Sequence, residues 1–212
     1  MNQEPFPTHE EFGQMTLVLM KDVERCWDEL HAATTAEDQS FWKRAFTRSV
    51  FALIEGFCEF FRSKALNAEN KKLYDGLSSG EFSFELGVFC ALLGETYLIN
   101  DDGEIQPQKL RTPFLANLLF CFNNFAEALG ASHRIKKGGH GWNKIRSAVR
   151  VRDNLMHPKK PDSLEIAEKE IDDVVFAWRW FYQEFGILLK EVTGEFPDFS
   201  DDEFKLKLKK PE

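Results

Sequence analysis

The sequence lacks any run of apolar residues long enough to cross a membrane, for which about 18 uninterrupted residues are needed. Its first residues, Met1 to Pro5, also lack the basic start and apolar run of a secretory signal peptide. Internal repeats and low-complexity linkers are missing as well. These absences predict a cytoplasmic protein that folds in water and has no membrane partner.

Cysteine is scarce, and its spacing predicts neither disulfides nor a metal site. The four cysteines stand about thirty residues apart, none in a C-x-x-C pair: Cys26, Cys58, Cys90 and Cys121. The five histidines do not accompany them at any spacing usual for zinc ligands. We therefore expect the cysteines to be small buried hydrophobic residues in a reducing compartment, and we expect no metal or other cofactor.

A strong excess of positive charge is found in only one short segment. The net charge of the chain is −8, which argues against a protein that coats nucleic acid in bulk. Residues 133–160 nevertheless contain nine Lys or Arg and a single acid, Asp153, whereas the rest of the chain has a net charge of −16. The segment is either an ordinary solvated basic face or a site for phosphate groups.

A strong helical pattern runs through most of the chain. With 212 residues, of which 43% are hydrophobic and 21 are Phe, the chain can bury a sizeable core as one domain. Apolar spacing and turn signals predict an all-α fold with one small β-hairpin around the sequence Asn100-Asp101-Asp102-Gly103. The predicted helices cover residues 9–33, 36–67, 80–96 (with mixed signals), 113–129, 142–156 and 163–193.

Several helix ends are marked by residues with a known capping role. Thr8 and Glu11 form a capping-box pattern at the start of the first helix. Thr112 and Pro113 predict the N-cap and the first residue of the helix at 113–129. Gly130 predicts its end.

The second predicted helix is apolar around most of its circumference, which is typical of a central helix. A narrow polar strip interrupts that surface: Arg44, Arg48, Glu55, Glu59 and Arg62. This strip either simply reaches solvent or lines a wet cleft. The last helix has an apolar residue at every third or fourth position until Gly194, so it should pack along a partner helix for its whole length.

One residue contradicts the pattern of the helix at 142–156. The apolar residues of this helix share an arc of about 120° on a helical wheel: Ile145, Ala148, Val149, Leu155 and Met156. Arg152 lies at the centre of that arc. Because the burial of an unpaired charge is costly, Arg152 should find a carboxylate, line a wet cleft or lie at a subunit interface.

His157 follows five residues after Arg152, where Pro158 should end the helix. Histidine exchanges protons near neutral pH, and a guanidinium has donors that match phosphate oxygens. These two residue types suffice to cleave RNA without a metal, because one moves the proton and the other stabilises the charged transition state. Arg134 and His140 form a second, similar pair in the neighbouring loop.

The stretch Arg152-Asp153-Asn154-Leu155-Met156-His157-Pro158 resembles the R-x4-6-H motif of the HEPN superfamily, with the usual polar residue after the arginine. The resemblance implies a HEPN-like helical bundle of long antiparallel helices and a homodimer that brings two motifs together. It often implies a metal-independent endoribonuclease of a toxin–antitoxin or phage-defence system. The alternative is a catalytically inactive HEPN-like dimer that binds a protein or nucleic acid.

On this resemblance, residues 1–194 form one domain with an insertion at about 80–112, and residues 195–212 form a loose charged tail. Arg152 and His157 would be catalytic, and Asp153 and Asn154 would orient them. Basic residues near the motif would attract the RNA backbone: Lys144, Arg146, Arg150, Lys159 and Lys160. The expected partners are RNA, a second copy of the chain and, for a toxin, an antitoxin protein.

Overall fold

The computed structural model describes residues 8–81 and 85–195. Its elements, in chain order, are α1 (His9–Ala32), α2 (Ala36–Ser79), α3 (Leu86–Leu93), β1 (Glu95–Ile99), β2 (Ile105–Lys109), α4 (Phe114–Ala128), α5 (His140–Met156), a short 3-10 helix (Pro161–Leu164) and α6 (Glu168–Thr193). The prediction of an all-α fold with a small β-hairpin is confirmed. None of the described helices is both long and apolar enough to span a membrane.

The described residues form two compact units, and α1 and α2 contribute residues to both. The units are unit 1, with residues 8–15, 55–81 and 85–135, and unit 2, with residues 16–54 and 136–195. The single domain over residues 1–194, with its insertion at 80–112, stays a prediction. Of the loose tail expected after residue 194, residues 196–212 lie outside the described part of the chain.

The starts of α1 and α4 test two sequence signals, with different results. In α1 the capping box is confirmed: the Thr8 N–H donates to Glu11 Oε2 at 2.7 Å, and the Glu11 N–H donates to Thr8 Oγ1 at 3.2 Å. In α4 the predicted N-cap at Thr112 is wrong by one residue. Pro113 holds the cap position because its ψ of 142° places it outside the helix. Gly130, with a φ of 70°, follows the end of α4 as predicted.

α2 is much longer than predicted, since it continues beyond residue 67 to Ser79. The apolar pattern thins out there, but no residue breaks the helix before Gly80, which has a φ of 79°. Two ion pairs support this last part of α2. Lys71 Nζ lies 2.9 Å from Asp75 Oδ2, and Lys72 Nζ lies 2.5 Å from Glu69 Oε1. Helical propensity and charge pairing therefore extend the helix where an apolar stripe no longer marks it.

The hairpin is confirmed, with β1 and β2 antiparallel and Ile99 opposite Ile105. Its turn is closed by Asn100, whose Oδ1 accepts hydrogen bonds from the N–H groups of Asp102 at 3.1 Å and Glu104 at 2.8 Å. The helix predicted at 80–96 is confirmed only for α3, because Gly94 ends α3 with a φ of 69° and the chain then enters β1. Residues 82–84 of that prediction lie outside the described residues.

α6 begins later than the residue-163 start that its apolar spacing predicted. The chain first makes the 3-10 helix, and Ala167, with an extended ψ of 158°, is the residue before α6. Its N–H donates to Glu170 Oε2 at 2.9 Å, which supports the start of the helix. The apolar stripe is buried as far as Leu188, but Val192 is 41% exposed, so α6 is not covered over its whole length as predicted.

Aromatic packing holds the core of unit 1 together. The Phe61 ring of α2 stacks on Phe125 of α4 with ring centres 4.6 Å apart, and it meets Phe122 edge-on at 5.8 Å. Cys58 and Cys121 are buried in the same two helices, while the other two cysteines are half-buried, and all four are free thiols. Their predicted role as small helical hydrophobic residues is confirmed for the buried pair.

In unit 2, α5 packs along α6, and Gly141 of α5 lies against the Trp180 indole of α6. A Cβ atom placed on Gly141 would lie 2.0 Å from Cδ1 of the Trp180 indole, far inside van der Waals contact. Gly141 is therefore required by packing. At Gly13, in α1, the corresponding position has no atom of another described part of the chain within 4 Å, apart from the backbone of its own helix.

We expect Gly141→Ala to lower the free energy of unfolding by about 3 kcal/mol, because the indole and the helix must move apart. The same exchange at Gly13 should raise it by about 0.5–1 kcal/mol, since alanine favours a helix and meets no obstacle there. Urea denaturation followed by circular dichroism measures both changes. An unchanged or higher stability of Gly141→Ala would contradict the described packing of α5 on α6.

Candidate functional site

α5 carries the predicted motif at its C-terminal end. Its buried residues are Trp142, Ile145, Ala148, Val149, Val151 and Leu155. Four of the five residues predicted for the apolar arc are among them. The fifth, Met156, is 52% exposed, because it is the last residue of α5 and the chain leaves the helix there.

Arg152 lies at the edge of the buried face, with 23% of its side chain exposed. Its guanidinium carbon lies 6.0 Å from the centre of the buried Phe51 ring in α2, within the range of a cation–π contact. Its Nη1 donates to Asp153 Oδ1 at 3.0 Å. Arg152 thus contacts an aromatic ring and a carboxylate while part of its side chain stays accessible to solvent.

His157 is the residue at which α5 ends, as Pro158 predicted, with φ −132° and ψ 59°. Its backbone N–H donates to the Asp153 carbonyl oxygen at 3.0 Å, and its side chain is exposed. Asp153 thus contacts both predicted catalytic residues, Arg152 through its carboxylate and His157 through its carbonyl. Asn154 is exposed and makes no side-chain hydrogen bond with the described residues.

Four of the five basic residues predicted to attract RNA are exposed: Arg146, Arg150, Lys159 and Lys160. Within the described ranges these four side chains form neither an ion pair nor a hydrogen bond. Their charges are therefore not neutralised by described acids of the chain. Arg146 and Arg150 precede the motif on α5, and Lys159 and Lys160 follow it, so the motif has exposed basic residues on both sides along the chain.

Lys144 differs from the other four, because its ammonium group forms an ion pair with the Asp173 carboxylate of α6. Asp173 is only 7% exposed, so the pair joins α5 to α6 at the margin of the core. We therefore assign Lys144 a structural role in unit 2, although the sequence placed it with the residues that attract RNA.

Asp173 and Phe51 contact this region but were not identified from the sequence. Asp173 directly precedes Val174 of the apolar stripe. An acid next to a buried position indicates a residue that needs a basic partner, and this signal was present in the sequence. Phe51 lies in a helix so rich in phenylalanine that no sequence signal distinguishes it from its neighbours. Only the packing of α2 and α5 within unit 2 identifies it as the ring beneath Arg152.

Within residues 8–81 and 85–195, no three His, Cys, Asp or Glu side chains come together as a group that could hold a metal ion. Comparison with models of protein families, with curated proteins and with solved structures finds no match to this chain. Membership of the HEPN superfamily therefore stays a prediction from the motif.

We expect Lys144→Met to lower the free energy of unfolding by roughly 1–2 kcal/mol, because the largely buried Asp173 carboxylate would lose its partner. Arg150→Met is the matched control on the exposed face of α5 and should change stability by no more than about 0.5 kcal/mol. Chemical denaturation of both variants provides the measurement. Equal free energies of unfolding of the two variants would show that the Lys144–Asp173 pair does not stabilise the fold.

Proposed function

We propose that the C-terminal end of α5 is a metal-independent endoribonuclease site of the HEPN type, with Arg152 and His157 as its catalytic residues. The observation that carries the proposal is the double contact of Asp153 with both residues at one exposed helix end. Four exposed basic residues around that end supply the charge that a phosphate backbone requires. The resemblance of residues 152–158 to the R-x4-6-H motif supports the same conclusion.

The proposed reaction is an internal transfer at phosphorus. The 2′-oxygen of the ribose forms a bond to the adjacent phosphorus, the bond from phosphorus to the 5′-oxygen breaks, and a 2′,3′-cyclic phosphate and a 5′-hydroxyl result. His157 takes the proton from the 2′-hydroxyl or gives one to the leaving 5′-oxygen. Arg152 donates hydrogen bonds to the phosphate oxygens, whose negative charge grows in the transition state.

A second copy of the chain would complete such a site. The transfer uses one group to accept a proton and another to supply one, whereas each motif contains a single histidine. A twofold dimer with the ends of both α5 helices at its axis would bring two His157 side chains to one RNA strand. The partners of this function are thus RNA and a second subunit, and an antitoxin protein if the chain is a toxin.

A HEPN-like dimer without nuclease activity is the second candidate function. One observation favours it: the contacts of Arg152 with Phe51 and Asp153 also give this arginine a structural reason to occupy its position. In that case the exposed basic surface would bind a protein or a nucleic acid without cleaving it. RNA cleavage by purified protein separates the two candidates.

We expect purified protein to cleave RNA in the presence of EDTA and to leave 2′,3′-cyclic phosphate ends. His157→Ala should lower the rate by roughly 10²–10⁴, which is the usual contribution of a positioned acid or base. His140→Ala, which removes the histidine of the similar Arg134–His140 pair, should retain cleavage and is the matched control. Strict dependence on Mg²⁺, or equal loss in both variants, would contradict the mechanism.

RNA affinity should fall steeply with salt, because binding of the phosphate chain releases condensed counterions. The double charge reversal Lys159→Glu, Lys160→Glu should weaken binding to all sequences alike and make the slope of log affinity against log salt shallower by about 1–2. Lys21→Glu with Lys190→Glu makes the same charge change at exposed positions elsewhere and should leave the slope unchanged. Fluorescence anisotropy measures the RNA affinity at each salt concentration. An RNA affinity of the unmodified protein that does not change with salt would exclude a phosphate-binding surface.

A further inference from the structure

Unit 1 contains a cavity of about 950 Å³, and none of its lining residues belongs to the proposed site on α5. Its walls come from α2, the junction of α3 with β1, the strand β2 and α4. Cavities of this size are typical of sites for small organic molecules. Glu59 and Arg62 of α2 line it, so this part of the polar strip faces a cleft, which is one of the two alternatives that the sequence left open.

Arg62 is the most distinctive side chain of the cavity, because it is only 19% exposed and its donors are incompletely used. Its Nη2 donates to Asn117 Oδ1 at 3.0 Å and lies 3.3 Å from Glu59 Oε1. Its Nε is buried and has no hydrogen-bond partner among the described residues. The exposed part of the Arg62 side chain lines the cavity, so a carboxylate brought by a ligand can accept hydrogen bonds from the guanidinium there.

The Arg62 guanidinium lies beside the backbone of Gly94. A Cβ atom on this glycine would lie 3.4 Å from Arg62 Nη1, so the end of the side chain rests against the backbone at the junction of α3 and β1. The positive charge of Arg62 also affects the neighbouring thiol of Cys121. The hydrogen bond from Cys58 and, after it, the Arg62 guanidinium lower the pKa of Cys121. Arg62 is thus held in place as a cation at the cavity wall.

Charged groups of both signs line the cavity. Lys109 adds a second cation, and Glu95 and Glu59 add two acids, so the charged lining is balanced. Glu95 and Lys109 stand opposite each other in the hairpin but form no ion pair within the described structure. Glu95 Oε2 accepts a hydrogen bond from the Tyr97 hydroxyl at 2.8 Å, and the carboxylate keeps its negative charge for a ligand cation. A polyanion such as a nucleotide would meet two carboxylates here, whereas a molecule with one charge of each sign matches the lining.

The remaining wall is mixed: Leu93, Leu110 and Phe120 supply its apolar part, and Gln108, Thr112 and Asn117 add polar groups. We propose that this cavity binds a small zwitterion with an apolar side chain, of the class of aliphatic or aromatic amino acids. Its carboxylate meets Arg62, its ammonium group meets Glu95 or Glu59, and its side chain packs on the apolar part of the wall. The binding site is separate from Arg152 and His157, so this proposal does not depend on RNA cleavage.

Isothermal titration calorimetry on the full chain tests the proposal with L-phenylalanine and L-leucine as probes. The matched fragments are 3-phenylpropanoate, which lacks the ammonium group, and 2-phenylethylamine, which lacks the carboxylate. We expect at least one amino acid to bind and each fragment of L-phenylalanine to bind roughly tenfold more weakly than the whole molecule. Binding of neither amino acid would overturn the proposal, and so would equal affinity for 3-phenylpropanoate, which would indicate a simple anion site.

Two variants locate the site. Arg62→Lys keeps the charge but loses the planar set of donors, and it should weaken amino-acid binding roughly tenfold. Arg111→Lys makes the same exchange at an exposed residue outside the cavity lining and should bind as the unmodified protein does. If Arg62→Lys does not fold, as circular dichroism would reveal, Glu95→Gln on the hairpin decides, with a similar loss expected. Unchanged affinity in the folded variant would place the amino acid elsewhere and overturn the assignment.

Discussion

A helix that is apolar on most sides, as residues 36–67 of α2 are, persists in water only where other elements cover it. In unit 2, Phe46 of α2 is fully buried and packs against Trp27 of α1, with ring centres 5.1 Å apart. In unit 1, Phe61 lies against Phe122 and Phe125 of α4. Each buried phenylalanine stabilises the fold by about 1.5–3 kcal/mol, so the aromatic surface of α2 decides which helices become its neighbours.

The same constraint explains why the polar groups of α2 are informative. Burial of a charge among phenylalanines is unfavourable, and it is tolerated where a partner or open space compensates. Arg62 has both, because Asn117 and Glu59 contact it and a cavity adjoins it. A charged residue in such a helix therefore indicates a place where the core is interrupted, and at Arg62 the interruption has the volume of a ligand site.

At the end of α5 a charge is accommodated in a different way. Arg152 rests on the face of Phe51, while its neighbour Asp153 accepts its hydrogen bond. The carbonyl oxygen of Asp153 also accepts a hydrogen bond from the backbone N–H of His157. Asp153 therefore contacts both the arginine and the histidine at the end of the helix. The arrangement is local: it follows from a helix that stops before a proline and from a ring supplied by the core beneath it.

The sequence alone determined the features that depend on neighbours along the chain. The capping box at Thr8, the turn at Asn100 and the end of α5 at His157 all follow from local hydrogen bonding or proline sterics. Tertiary structure decided the rest, including the pairing of Lys144 with Asp173 and the place of Arg62 at a cavity. Which partner a charged residue of a helix contacts depends on the packing of segments that are distant in the chain. Residue spacing along one helix does not encode that packing.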